Sequence, residues 1–278
     1  MDLVQAVILG LVEGITEFLP ISSTGHLTIA EKMLGLQVDD PGVTAFTAII
    51  QVGAIIAVII YFRTDIARLA VAWGRGLVSP AARQDFDYRF AWYIIAGSIP
   101  IGIVGFALKD VISGPLRNLW VVAGALIVWS AVMYLAERTA TQQRAERDLT
   151  LQDALWVGLI QCVALIPGVS RSGATISGGL FRGLDRVTAT RLSFFLSIPA
   201  LVAAGTYEAL SAAGDISATV GWVPTIVATA VSLVVAYATI AWLLHLVAHH
   251  PITVFIPYRI GLGVVIIGAL ASGALAAT

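Results

Sequence analysis

Two carboxylates four residues apart, Glu13 and Glu17, stand inside an otherwise apolar stretch. A helix puts that pair on one face, about one turn apart. A carboxylate in apolar surroundings is expensive, so two neighbours must share a proton, meet water or hold a cation. A purely structural use, satisfying the backbone of a nearby loop, is open too, but uncharged side chains do that at lower cost. Three hydroxyls and an imidazole follow at once: Ser22, Ser23, Thr24 and, after Gly25, His26. Serine and threonine cap helix starts, and the free N–H groups there bind anions. Capping accounts for the hydroxyls; it leaves His26, which serves as acid, base, nucleophile or ligand near neutral pH.

A second cluster, PGVSRSGAT over 167–175, sets Arg171 among Ser170, Ser172, Gly173 and Thr175. Glycines allow a tight nest of amides, and a guanidinium grips two phosphate oxygens at once. An arginine in an apolar stretch needs an anion, which is either a ligand or Glu13 or Glu17. Brought together, the two clusters supply carboxylates, nucleophile candidates, an imidazole, an arginine and backbone donors. That inventory suits phosphoryl transfer from an anion whose tail stays in lipid.

The elements that must position these groups are membrane helices. Apolar residues make up 58% of the 278 and charged residues 12%, against about 25% charged in soluble domains. Such a chain cannot cover a water-facing surface; it is read as an all-α, polytopic integral membrane protein surrounded by membrane lipids. A net charge of -1 offers no field for nucleic acid, so no nucleic-acid partner is expected. The single cysteine, Cys162, excludes an intramolecular disulfide and reads as a buried filler. The first twenty residues carry Asp2, Glu13 and Glu17 and no basic start, unlike a cleavable signal peptide. His249 and His250 before Pro251 read as a solvated loop-end pair, and Trp120 and Trp222 as interface anchors.

Six stretches reach the roughly 20 residues that span a bilayer: 43–62, 89–108, 119–136, 190–210, 222–246 and 258–275. Two more, 3–31 and 151–180, are interrupted at Pro20 and Pro167, where proline removes a donor and clashes with the preceding turn. Both are expected to be re-entrant helix-loop-helix hairpins with the polar clusters at their tips. The halves repeat at an offset of 148: Ala6 to Glu13 aligns with Ala154 to Gln161, Ser22 to Gly25 with Ser170 to Gly173, and Phe46 with Phe194. The expectation is therefore a single membrane domain, 1–278, made of repeats 1–136 and 151–275 joined by loop 137–150. A hairpin plus three spans per half inverts the second half relative to the first. Loops 63–88 and 137–150 and the return 182–191 are rich in arginine, whereas 35–42, 109–118 and 211–221 are poor in it. The positive-inside rule then makes the arginine-rich loops cytoplasmic and lets the tips enter from opposite sides and meet.

The runs EGITEFLPISSTGH over 13–26 and PGVSRSGAT over 167–175 resemble the two signature motifs of the undecaprenyl-diphosphate phosphatases, the bacitracin-resistance membrane proteins of bacteria. The likeness extends over the whole length, including Phe46, Gln51 to Gly53 and Ser193 to Phe195. It implies hydrolysis of undecaprenyl diphosphate to undecaprenyl phosphate and inorganic phosphate, recycling the lipid carrier of wall synthesis and conferring bacitracin resistance. It further implies a polyprenyl diphosphate as the lipid substrate, a location in the bacterial inner membrane, and a site opening to the outer face. It places Glu13 and Glu17, Ser23 and His26, and Arg171 in the site, with a divalent cation, Mg2+ or Ca2+, as cofactor. A homodimer stays open.

Within that frame Glu17, Ser23, His26 and Arg171 are the candidate catalytic residues, and Glu13 and Glu17 the candidate metal ligands. Ser22, Thr24, Gly25, Ser170, Ser172, Gly173 and Thr175 are the candidate substrate-binding residues. Ser23 as nucleophile with Glu17 as its base is the favoured route, His26 protonating or positioning the leaving phosphate. Ser23 and His26 share a face if the second arm is helical, so a Ser23–His26 pair, a phosphohistidine, or direct attack by water are alternatives. A secondary transporter or lipid flippase built on the same polar site is the reading from another class.

Overall fold

The computed structural model describes every residue except 39, 117, 212–215, 217, 218 and 278, together with the side chains of 113, 204 and 207–211. Asp39, Arg117 and Asp215, three of the charges used to assign sidedness, lie outside the described residues. The helices run, in chain order, α1 (Leu3–Thr16), α2 (Ser23–Met33), α3 (Pro41–Tyr61), α4 (Arg63–Val78), α5 (Phe86–Ala107) and α6 (Lys109–Ser113). There follow α7 (Leu119–Thr139), α8 (Leu151–Val163), α9 (Arg171–Phe181), α10 (Arg186–Ser211), α11 (Trp222–His249) and α12 (Ile256–Ala271). Among the described residues no strand forms; a lone bridge joins Arg144 and Leu184.

Six of these, α3, α5, α7, α10, α11 and α12 with its leading turn, are long and apolar enough to cross a membrane. The 21 residues of α3 rise about 31 Å, the thickness of a hydrocarbon core. The protein is thus an all-α, multi-pass membrane protein. Helix α10 starts at Arg186, four residues before the expected 190, because Asp185 caps Thr188 from its side chain.

The segment 63–88, expected as a loop, contains helix α4. Ile66, Leu69 and Trp73 recur at helical spacing and rest on α5, with the rings of Trp73 and Trp92 5.8 Å apart. Arg68 of the same helix reaches α5 as well, donating to Asp87.

Each proline-broken stretch is a pair of antiparallel arms. Gln5 Nε2, at the start of α1, donates to the Leu34 carbonyl beyond the end of α2, 3.1 Å away. Arg182, just after α9, bonds Asp153 at the start of α8. The breaks fall earlier than the prolines, after Thr16 and Val163. The residue before a proline is pushed out of helical conformation and the proline itself donates nothing, so the last turn has no ladder to extend into.

Each hairpin leans on the other half of the chain: α1 packs on α11 and α8 on α5. Both contacts are backbone-close at glycines 148 residues apart. A Cβ at Gly10 would come within 2.5 Å of the Ala228 carbonyl oxygen, and one at Gly158 within 2.0 Å of the Gly97 carbonyl oxygen. Small residues let apolar helices approach in this way where the hydrophobic effect between them is absent.

One end of the bundle is an ionic layer. Arg68 bonds Asp87 at 2.6 Å, Arg191 bonds Glu146 at 2.8 Å, Arg186 bonds Glu137, and Asp153 takes Arg144 and Arg182 at 2.5 and 2.7 Å. Burial raises the Asp153 carboxyl, but hydrogen bonds from Arg144, Thr150 and Arg182 outweigh it and hold the group well below the usual carboxylate range. The mouth of the second hairpin lies in this layer. Helix α12 begins here too, with the Ile252 amide on Glu137, and the chain beyond it ends beside the first hairpin, where Lys32 meets the Ala276 carbonyl. The two hairpins therefore open toward opposite ends of the bundle.

Candidate active site

Both tips fold by the same local device. Ser22 and Ser170, 148 residues apart, each take φ +76, and each side chain caps the amide three residues on, Gly25 and Gly173 at 3.5 and 3.2 Å. A non-glycine residue in that region costs on the order of 1–3 kcal/mol and persists only where its surroundings demand it. The surroundings here are the opposite tip. Gly168 N–H donates to Ser22 Oγ at 3.1 Å, and Ser170 Oγ lies 3.3 Å from the Leu19 carbonyl.

That junction sets Glu17 between the hairpins. Its Oε2 accepts from Ser23 Oγ at 2.7 Å, and its Oε1 accepts from Arg171 Nη2 at 2.8 Å. Both ionic partners are nearly buried, the side chains 4% and 12% exposed, so the pair is largely shielded from outside solvent. Arg171 Nη1 is buried and has no hydrogen-bond partner among the described residues. The arginine thus has one edge on its carboxylate and one edge to offer. One turn back along α1, Glu13 is 1% exposed, and among the described residues neither of its carboxylate oxygens has a hydrogen-bond partner.

His26 is turned away from Ser23. Its Nδ1 is 2.7 Å from the Ser22 carbonyl, which can only accept, so Nδ1 carries a proton. Its Nε2 is 2.6 Å from the Tyr258 hydroxyl, with the two rings stacked at 5.6 Å. The helix does start at Ser23, yet the Ser23–His26 pair that this start would permit does not form; the Ser23 partner is Glu17.

The remaining candidates divide. Ser172 Oγ is buried 3.1 Å from Ser170 Oγ. Thr175 is turned inward, 2.8 Å from the Arg171 carbonyl and 2.5 Å from Ser193 Oγ, and braces α9 against α10. Thr24 is exposed. The Gly25 and Gly173 amides are used by their caps, which leaves the first-turn amides of α2 and α9 as backbone donors. Helix N-termini of this kind attract anions.

A profile described as bacitracin resistance protein BacA matches residues 6–265, nearly the whole chain. The chain belongs to the BacA family. It is 59% identical over 278 residues, the full length of both chains, to Undecaprenyl-diphosphatase 3 of Frankia casuarinae. It is 56% identical over 284 residues, again all of both, to Undecaprenyl-diphosphatase of Cutibacterium acnes, and 47% identical over 280 residues to the protein of that name from Mycobacterium sp. (strain KMS).

Two residues that contact these tips escape the sequence reading, and both come from α12. Tyr258 holds His26. Arg259, 0% exposed, reaches both tips: Nη1 donates to the Pro20 carbonyl at 2.7 Å, Nη2 to those of Gly168 and Val169 at 3.1 Å, and Nε to Ser130 Oγ at 3.2 Å. A signal for Arg259 was available. It is the one charged residue inside the apolar stretch 258–275, and ionisable groups at such positions are rarely idle.

Proposed function

We propose that this chain hydrolyses undecaprenyl diphosphate to undecaprenyl phosphate and inorganic phosphate, with the prenyl tail remaining in lipid, and so returns the carrier to wall synthesis and confers resistance to bacitracin. The observation that carries the reading is the Glu17 carboxylate shared between Ser23 and Arg171. A binding site needs only the arginine; a hydroxyl on a carboxylate beside it is the arrangement of a nucleophile with its base.

In the mechanism we favour, Ser23 Oγ attacks the terminal phosphorus while its proton passes to Glu17 Oε2. The phosphoanhydride bond breaks and undecaprenyl phosphate departs, carrying the proton from Glu17 with it or leaving it to water. Water then attacks the phosphoserine and gives a proton to the freed Glu17 carboxylate, and Glu17 returns it to Ser23 Oγ as phosphate leaves. Arg171 Nη1 and the first-turn amides of α2 and α9 hold the phosphate oxygens as charge develops. Both His26 nitrogens are engaged, which supports a positioning role for that ring over a phosphohistidine.

A divalent cation fits this site. The buried oxygens of Glu13, unpartnered among the described residues, lie one turn from Glu17, and a cation is the economical way to keep both ionised. Among the described residues no cluster of three His, Cys, Asp or Glu gathers, so Glu13 and Glu17 would hold Mg2+ or Ca2+ together with substrate oxygens. When bound, the ion neutralises charge on the diphosphate.

The arginine-rich end of the bundle is read as cytoplasmic, in the bacterial inner membrane. The first hairpin then re-enters from outside and the second from the cytoplasm, as an inverted repeat of 1–136 and 151–275, with the site opening outward. In a C162A background, cysteines at residues 36 and 75 should label from opposite faces of intact cells; labelling from one face removes the inverted repeat. The activity itself is tested by phosphate release from purified protein given a polyprenyl diphosphate, with and without a chelator. Release that depends on added Mg2+ or Ca2+ is expected, and none under any metal would end the proposal.

A further inference from the structure

Among the described residues Arg259 is one of the largest fully buried side chains, and no carboxylate pairs with it. A buried guanidinium normally finds an acid, because an uncompensated charge is costly. Here it is satisfied instead by three carbonyls and a hydroxyl. Two of those carbonyls, Pro20 and Gly168, stand 148 residues apart and occupy equivalent places in the two tips. One side chain thus grips the same point of both loops.

The grip has a chemical consequence. A carbonyl oxygen turned toward a diphosphate repels it, whereas an amide attracts it. Turning the Pro20, Gly168 and Val169 carbonyls onto Arg259 commits them to a cation. The α2 and α9 starts that follow each tip are left to present N–H groups.

We infer that Arg259 is a positioning residue for the reaction proposed above. It locks the first tip, with Glu17 and Ser23, in register with the second tip, with Arg171, and keeps three tip carbonyls off the substrate. It acts through Arg171 and Glu17, without touching substrate.

The test uses R259K and R259Q in the full-length protein. Lysine keeps the charge but lacks the planar fork that reaches both tips. R259K should insert and fold, with kcat down about tenfold or more and KM within about threefold of wild type. Amide exchange should rise in both tips, residues 18–25 and 166–173, a readout that needs no activity. In a double-mutant cycle, R171K/R259K should be little slower than R171K, because one of the groups that Arg259 aligns is already gone.

Wild-type kcat in both variants overturns the inference, as does a raised KM with kcat intact, which would place Arg259 on the substrate. Multiplicative losses in the cycle, or unchanged exchange in the tips, overturn it too. Failure of both variants to fold assigns Arg259 to stability alone and is equally fatal. A wild-type protein that releases no phosphate strikes the functional reading instead, and the exchange measurement still judges this one.

Discussion

Arg171 Nη2 and Glu17 Oε1 lie 2.8 Å apart across a sequence separation of 154 residues, and the second nitrogen of the same guanidinium, Nη1, has no partner among the described residues. This half-used fork joins the two hairpins and leaves a donor edge for a phosphate. Lysine can serve one of these purposes but not both. R171K should therefore insert normally and lose about 10²-fold or more in turnover, the scale of removing a transition-state donor. Turnover near wild type in a phosphate-release assay would reduce Arg171 to a counter-ion of Glu17.

The two glutamates should separate in a metal titration. Glu17 Oε2 accepts the Ser23 hydroxyl, so in the proposed reaction E17Q should be inactive at every Mg2+ or Ca2+ concentration. Glu13 accepts no hydrogen bond among the described residues, so E13Q should be partly rescued by excess cation. The reverse pattern would exchange their roles.

Ser23 as nucleophile predicts a phospho-enzyme during turnover, stable to acid and mapping to Ser23 in a quenched-flow trap. S23A should keep less than about a tenth of wild-type turnover, since a covalent nucleophile cannot be deleted cheaply. More than that, or an acid-labile adduct on His26, removes serine from the role.

Y258F deletes the hydroxyl 2.6 Å from His26 Nε2 and leaves the stacked ring in place. If His26 positions or protonates the leaving phosphate in a fixed orientation, Y258F should lower kcat several-fold with little change in KM, and H26A/Y258F should be no slower than H26A. Independent, multiplicative losses would uncouple the two residues.

Asp153 is 0% exposed and takes two arginines that are 29% and 37% exposed. D153A should cost about 2–3 kcal/mol, less than the ~3–5 kcal/mol of a fully buried pair because solvent screens both guanidiniums. Its carboxyl is depressed in the folded protein, so its stabilising contribution is complete above the unfolded value, about pH 4, and is lost as pH falls further toward the folded one. Thermal unfolding in detergent should show the wild type losing stability below about pH 4 more steeply than D153A. Parallel curves would refute this assignment.

The sequence by itself determined the solvent of this protein, its six apolar spans, its two proline-broken stretches and most of its reactive groups. Those follow from quantities that need no third dimension: hydropathy summed over about 20 residues, a missing proline donor, and an i,i+4 spacing that binds Glu13 to Glu17 on one face. Side-chain partners were decided only by the tertiary structure. Helical spacing allowed Ser23 to meet His26, but the tip places Ser23 on Glu17 and turns His26 toward Tyr258, 232 residues away. Thr175 looked like a phosphate ligand and faces Ser193 instead. Arg63 to Val78 looked like a loop because its charges mask an apolar stripe that only α5 reveals. Arg259 stands out in the sequence as the one charge of an apolar stretch, but nothing there names its partners, which are backbone carbonyls from two loops far away in the chain. A backbone oxygen leaves no mark on residue type, and a contact between distant loops leaves none on spacing, so the bond between the two tips became visible only once the chain was folded.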